Sequence, residues 1–292
     1  MTFLNAITRY LTLSLSTGEN IFYREAGDVN APTVLLLHGF PSSSNQFRYL
    51  IPILATKYHV LAPDLPSYGF TTVTDSYNYT FDNLATTIST WLTNLPTPPQ
   101  KYSIYIFDYG APVGLRLALE HPERISSIIT QNGNAYVEGL GPFWESFKPF
   151  WANRTTETEA PIRPNVELPV TKFQYEDGTP DLQRVDPASY TFDQALLDRP
   201  GIKDIQIDLF YDYQNNLPLY PKFQQFFREK QVPLLAVWGK NDVIFVPPGA
   251  EAFKRDLPNA EVELWDAGHF VSDTYAPELG ERILKFFKDH SI

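Results

Sequence analysis

Six short apolar runs, each of strand length and each closed by turn residues, constrain this 292-residue chain more than any other feature. They lie at 34–37, 59–62, 103–107, 125–130, 234–238 and 262–265. A strand with no polar alternation is buried on both faces, as strands of a parallel sheet are. Helical stretches separate many of them. Residues 111–120 follow one run closely and stop before His121-Pro122, because proline disfavours helix in the residue ahead of it. Residues 279–289 read as an amphipathic closing helix, with Leu279, Ile283, Phe286 and Phe287 near one face. Strands alternating with helices predict an α/β fold, with a mostly parallel sheet covered by helices on both faces.

The alternation stops over residues 135–221, which are rich in Pro, Trp, Tyr and Phe. Trp144, Phe147, Phe150 and Trp151 are spaced for one helix face. The expected organisation is a core of residues 1–134 and 222–292, with residues 135–221 inserted as a helical cap, or lid.

Composition narrows the partners. The net charge of −11 repels phosphate backbones, so nucleic acid is not expected. With no cysteine there are no disulfides or thiolate metal sites, which fits a reducing compartment. The first twenty residues are a poor secretory signal, their apolar residues being broken by Asn5, Thr8 and Arg9. The N-x-T triplets at Asn78 and Asn153 are then chance matches. No stretch has the length of a membrane span. These features predict a cytoplasmic monomer or homodimer that does not bind membranes. No His-x-x-x-His pair, carboxylate cluster, GxGxxG or P-loop is present, so no metal and no cofactor is expected. An aromatic fraction of 15% suits a well-filled core or an apolar ligand cavity equally.

The segment YIFDYGAPVG (105–114) carries the most chemistry. An apolar run ends at Phe107, Asp108 follows, and a helix starts at once. Such a sharp strand-to-helix turn presents a nucleophile. Gly110 is the small residue the turn needs on one side, whereas Ile106 on the other is bulkier than usual. A helix N-terminus favours a carboxylate, and Asp is also a common N-cap there. After the run at 34–37 comes His38-Gly39-Phe40-Pro41, a tight loop. The backbone N–H groups of Phe40 and Tyr109 would form an oxyanion hole beside Asp108. Asp242 follows the run at 234–238, at a strand's carboxyl end, where α/β sheets place their sites. Among five histidines, His269 alone stands in a Gly-His turn after a late strand. It is the expected base, with Asp242 fixing its tautomer.

HGFPSSS, DLPSYGFT, FDYGAPVG, WGKNDVIF and DAGHF occur in the order found in α/β-hydrolases of the epoxide hydrolase and haloalkane dehalogenase branch, which the chain resembles. QNGNAY (131–136) and LFYDYQNN (209–216) further resemble a yeast protein described as an epoxide hydrolase. The resemblance implies an α/β-hydrolase fold with an eight-stranded sheet, a helical cap and no cofactor. It also implies that His38, Pro41, Trp144, Trp151 and Phe270 surround the substrate. In epoxide hydrolases two cap tyrosines donate to the epoxide oxygen. Tyr213 stands where the later one belongs, with Tyr211 as the fallback. The earlier one has no clear counterpart, and Tyr136 and Tyr190 are weakly placed.

The nucleophile type decides the reaction class. A serine attacks carbonyls, whereas an aspartate doing so would form a reactive anhydride with little gain. Aspartate suits displacement at saturated carbon, giving an alkyl ester that His269-activated water then cleaves. Small apolar epoxides and alkyl halides fit. An epoxide needs an acidic donor such as a phenol, and a halide needs only neutral donors such as an indole N–H. Phe40 and Tyr109 stand where dehalogenases often carry Asn and Trp, which favours the epoxide. A non-catalytic binding protein on the same fold is the reading from another class.

Overall fold

A computed structural model describes residues 7–292. Asn5, used above in reading the N-terminus, lies outside the described residues. Eight strands form one sheet: β1 (Arg9–Ser14), β2 (Asn20–Ala26), β3 (Thr33–Leu37), β4 (His59–Pro63), β5 (Tyr102–Phe107), β6 (Ile125–Gln131), β7 (Leu234–Gly239) and β8 (Glu261–Trp265). Their order is β1-β2-β4-β3-β5-β6-β7-β8. β2 pairs antiparallel with β1 and β4, and every other pairing is parallel. All six expected runs are strands. The first two strands carry no comparable signal, because β1 is an edge strand whose residues are exposed or half-buried throughout.

The helices are α1 (Leu50–Leu54), α2 (Phe81–Asn94), α3 (Gly110–Glu120), α4 (Lys148–Ala152), α5 (Thr156–Glu159), α6 (Leu168–Glu176), α7 (Pro187–Leu197), α8 (Ile202–Asp212), α9 (Tyr220–Lys230), α10 (Pro248–Asp256), α11 (Val271–Thr274) and α12 (Ala276–Asp289). Successive strand side chains point to opposite faces. Leu35 and Leu37 therefore pack with Phe81, Ile88 and Trp91 of α2 on one face. Val34 and Leu36 pack with Leu50 and Leu54 of α1 and Ile283 and Phe287 of α12 on the other. Each fully buried side chain of this kind contributes roughly 1.5–3 kcal/mol. Ile283→Asp would instead bury an unpaired carboxylate.

Between β6 and β7 the chain forms α4 to α9 with intervening 3₁₀ turns and no sheet strand, the inserted helical cap. α9 begins at Tyr220, so the expected limit at residue 221 falls inside this helix. Trp144 and Phe147 lie on a 3₁₀ turn (Pro142–Phe147), while Phe150 and Trp151 lie on α4. The single helix face expected from their spacing is not formed. Pro149, in the first turn of α4, has no N–H to continue a helix through this point. Trp144, Phe147 and Phe150 are nevertheless buried together in the core. No helix among the described residues is long and apolar enough to cross a membrane.

Candidate active site

The bend after β5 is made possible by the residues around it. Asp108 has φ 46°, a left-handed conformation that costs a non-glycine residue about 1–2 kcal/mol. Gly110 lets α3 start against β3, since a Cβ there would overlap the Leu37 carbonyl. Gly114 faces the Ile106 side chain, which a Cβ would meet. The bulky Ile106 is thus accommodated by a glycine one turn into the helix. The Asp108 side chain does not cap α3, whose N-cap is Tyr109 with no side-chain bond. Its Oδ1 instead accepts the Phe40 N–H at 2.7 Å. The Tyr109 N–H also lowers the carboxyl pKa by hydrogen bonding. Gly39 lies so close that a Cβ would overlap the carboxylate. The Phe40-Pro41 peptide is cis.

Two other strand ends bring Asp242 and His269 to this carboxylate. His269 Nδ1–H donates to Asp242 Oδ2 at 2.7 Å. The other carboxylate oxygen accepts the Ile244 N–H at 2.8 Å. His269 Nε2 lies 4.0 Å from Asp108 Oδ2 and has no hydrogen-bond partner. All three side chains are buried. The histidine thus bridges two buried aspartates, an arrangement suited to a hydrolytic triad.

Burial and proximity shape their charges. Burial pushes the Asp108 carboxyl up to about 6, against the pull of His269 and the two backbone amides. Burial depresses His269, but Asp242 and then Asp108 outweigh it and hold the imidazole above its ordinary value.

Sequence reasoning missed what supports Asp242. Asn132, at φ 48° just after β6, donates to Asp242 Oδ2 at 2.7 Å and accepts the Gly239 N–H at 2.9 Å. Gln131 donates to the His269 carbonyl at 2.7 Å. Both belong to the QNGNAY segment, whose amide-glycine-amide pattern was the available signal. Neither residue is apolar or charged, so periodicity and charge reading passed over them.

Two narrow cavities meet at the site, each of about 10 Å³. That is room for about one water. Phe40, Asp108, Tyr109, Phe143, Trp144, Asn165, Gln174, Phe210 and Ile244 border the first. Asp242 and His269 border the second. An organic molecule fits the first only when its aromatic wall moves.

Of the five residues expected around the substrate, Trp144 alone borders the first cavity, beside Phe40 of the expected oxyanion hole. The others border neither cavity. His38 is structural: its Nε2 accepts the Leu65 N–H at 2.9 Å, and burial lowers its pKa to about 4, keeping it neutral. Pro41 is buried in the loop behind Phe40. Phe270 stacks on Tyr175 at 3.9 Å. Trp151 stacks on Tyr213 and gives its N–H to the Phe210 carbonyl at 2.8 Å.

Of the two expected cap tyrosines, Tyr213 lies close enough to Asp108 for the carboxylate charge to help raise its pKa, after burial and Tyr220. Tyr213 is buried with its ring stacked 4.4 Å from Trp144, and its hydroxyl faces that of Tyr220. It does not border the cavity beside Asp108. Tyr211 packs on Phe150 and Arg154, away from the site. Tyr136 donates to Asp256 at 2.9 Å, and Tyr190 packs against Tyr175. The tyrosine that does border the cavity is Tyr109, whose buried hydroxyl has no hydrogen-bond partner.

Comparison with known proteins agrees with this architecture. A model of the alpha/beta hydrolase fold family matches residues 32–274. The chain is 47% identical over 290 residues to the uncharacterized hydrolase YNR064C of Saccharomyces cerevisiae, covering 98% of this chain and 99% of the relative. That name gives no substrate, so the likeness to a yeast protein supports a hydrolase and not, by itself, an epoxide hydrolase. A haloalkane dehalogenase of Mycobacterium marinum is 25% identical over 286 residues, covering 90% of this chain and 87% of the relative. The structure of epoxide hydrolase VrEH1 from Vigna radiata superimposes with a TM-score of 0.75 at 21% identity, covering 97% of this chain and 98% of that one. The chain belongs to the α/β-hydrolase fold family.

Proposed function

We propose that the protein hydrolyses small apolar epoxides to diols through an alkyl ester on Asp108. The observation that carries this reading is the division of labour between the two Asp108 oxygens. Oδ1 is held by the Phe40 N–H at 2.7 Å, while Oδ2 faces the unpartnered His269 Nε2 at 4.0 Å. In the first step Oδ2 attacks a ring carbon and the C–O bond of the epoxide breaks. The released oxygen takes a proton, for which the Tyr109 hydroxyl is the donor, later reprotonated from solvent. In the second step water attacks the Asp108 Cγ and gives a proton to His269 Nε2. The developing oxyanion sits where Phe40 already donates. The bond from Cγ to the alkyl oxygen then breaks, and the diol leaves with a proton from His269.

The first step prepares the second. The Asp108 charge, after Asp242, helps to raise the His269 pKa. Esterification removes that charge, so the imidazole holds a proton less tightly and is favoured in its neutral, basic form.

The donors beside the cavity favour an epoxide over a halide. The Trp144 and Trp151 indole N–H groups are spent on the Ile244 and Phe210 carbonyls, at 3.0 and 2.8 Å. The Tyr109 hydroxyl is buried with no hydrogen-bond partner, so its hydrogen is uncommitted, although burial raises its pKa. The test pairs styrene oxide with a primary bromoalkane. Styrene oxide should turn over and the bromoalkane should not. Tyr109→Phe should lower kcat on styrene oxide about 100-fold, while Tyr213→Phe changes it less than about threefold. Turnover of the bromoalkane alone would make the protein a dehalogenase using the same ester. The narrowness of the cavity favours one further reading, a non-catalytic binding protein. No turnover of epoxide, halide or ester, with ligand binding intact in Asp108→Asn, would mark it.

A further inference from the structure

The two members of the reacting pair face different cavities. Asp108 borders the first, together with the aromatic wall of Phe40, Trp144 and Phe210. His269 borders the second and not the first. Yet Asp108 Oδ2 and His269 Nε2 are only 4.0 Å apart. Gln174 of α6 and Ile244 border both cavities and so form the partition between them. The second cavity also touches Phe173 and Val243, which are exposed by 38% and 42%. It therefore lies between the outer seam of cap and core and the His269 side of the site.

The chemistry of the two linings differs. The first is mainly aromatic. The second adds Asp177, Asp242 and His269. Gln174 as a residue is only 5% exposed, and its carboxamide makes no hydrogen bond to any described residue. A carboxamide with no protein partner is left for water or a ligand to satisfy. At about 10 Å³ the second cavity holds about one water, with several polar partners around it.

We propose that the second cavity is a water route ending at His269, separate from the substrate chamber, and that Gln174 is the positioning residue for the hydrolytic water. This rests on the Asp108 ester proposed above. In the resting chain the Gln174 carboxamide holds a water in the second cavity, on the His269 side of the site. Once Asp108 is alkylated, the substrate fills the first chamber and blocks that side. Water then reaches the ester through the seam past Phe173 and Val243. It adds to the Asp108 Cγ, its proton passes to His269 Nε2, and the alkyl oxygen leaves with that proton. The carboxamide acts on the second step and has no part in the first.

Quenched single turnovers read by intact mass separate the two steps. With styrene oxide, Gln174→Leu should form the Asp108 adduct at a rate within about threefold of the parent chain. Its ester should then be hydrolysed at least about tenfold more slowly, so that adduct accumulates. Val243→Trp, which fills the mouth of the seam from outside, should produce the same imbalance. His269→Gln serves as the reference in which adduct persists. If that reference forms no adduct with a substrate the parent chain turns over, the ester reading fails and this proposal with it. If the reference forms adduct but both other variants hydrolyse it at the parent rate, the water route alone is overturned. A parallel loss of both steps in Gln174→Leu, or slower alkylation in Val243→Trp, would mean one shared passage and also overturns it.

Discussion

On the core side of the cleft, Asp242 takes hydrogen bonds from His269, Asn132 and Ile244. Asn132 is itself held by the Gly239 N–H, and Gln131 ties down the loop through the His269 carbonyl. On the cap side, the polar atoms of the aromatic residues are turned inward to the cap or onto backbone. The indoles of Trp144 and Trp151 donate to carbonyls, and the Tyr175 hydroxyl donates to Asp193 at 2.5 Å. The core fixes reacting atoms, whereas the cap offers the site a wall of stacked rings, tied to the core at Trp144 through the Ile244 carbonyl. A wall held by stacking can shift by changing rotamers, and a site held by a closed hydrogen-bond network cannot shift without breaking bonds. This division fits a cavity too narrow for an organic molecule at rest beside a nucleophile already in place.

If the comparison is right, the core should be unforgiving. Asn132→Leu removes a bond to a buried carboxylate and leaves the Gly239 N–H unpaired. Such a loss is worth about 1.5–3 kcal/mol, so kcat should fall roughly 10- to 100-fold. Steady-state kinetics of a variant with normal circular dichroism checks this. A loss under twofold would show that Asp242 is held well enough without it.

A smaller effect concerns stability. The Asp108 carboxyl is raised in the folded chain to about 6, so the folded state binds this proton more tightly than the unfolded state does. Its stabilising contribution is complete below the unfolded value near 4 and is lost as pH rises through about 6. Asp108→Asn cannot ionise. It should therefore gain up to about 2–3 kcal/mol over the parent chain at pH 8, and the gain should shrink towards zero near pH 4. Denaturant titrations at both pH values measure it. A gain that grew on acidification would reverse the assignment. The same ionisation should make kcat/KM fall as pH drops below about 6.

The core was legible because its constraints are local. A strand-length apolar run, a glycine two residues past the bend and a Gly-His turn are each visible in a short window. Asp108, Asp242, His269 and the Phe40 amide came together from such windows. Asn132 was not legible because its role depends on β6 and β7 being neighbours in the sheet. The cap was read correctly as helical and aromatic, but which aromatic faces the cavity depends on packing. Trp144 and Trp151 fall on different elements because Pro149 separates them. Tyr213 sits in a stack between Tyr109 and Trp144, and nothing in its local sequence marks that burial.

The covalent ester is tested most directly by one turnover in ¹⁸O-water with enzyme in excess. If Asp108 attacks carbon, the first diol carries an oxygen taken from the enzyme and no label. The peptide containing Asp108 then gains one ¹⁸O. Label in the first diol with none in that peptide would mean that water attacks the substrate directly, with Asp108 acting only as a base.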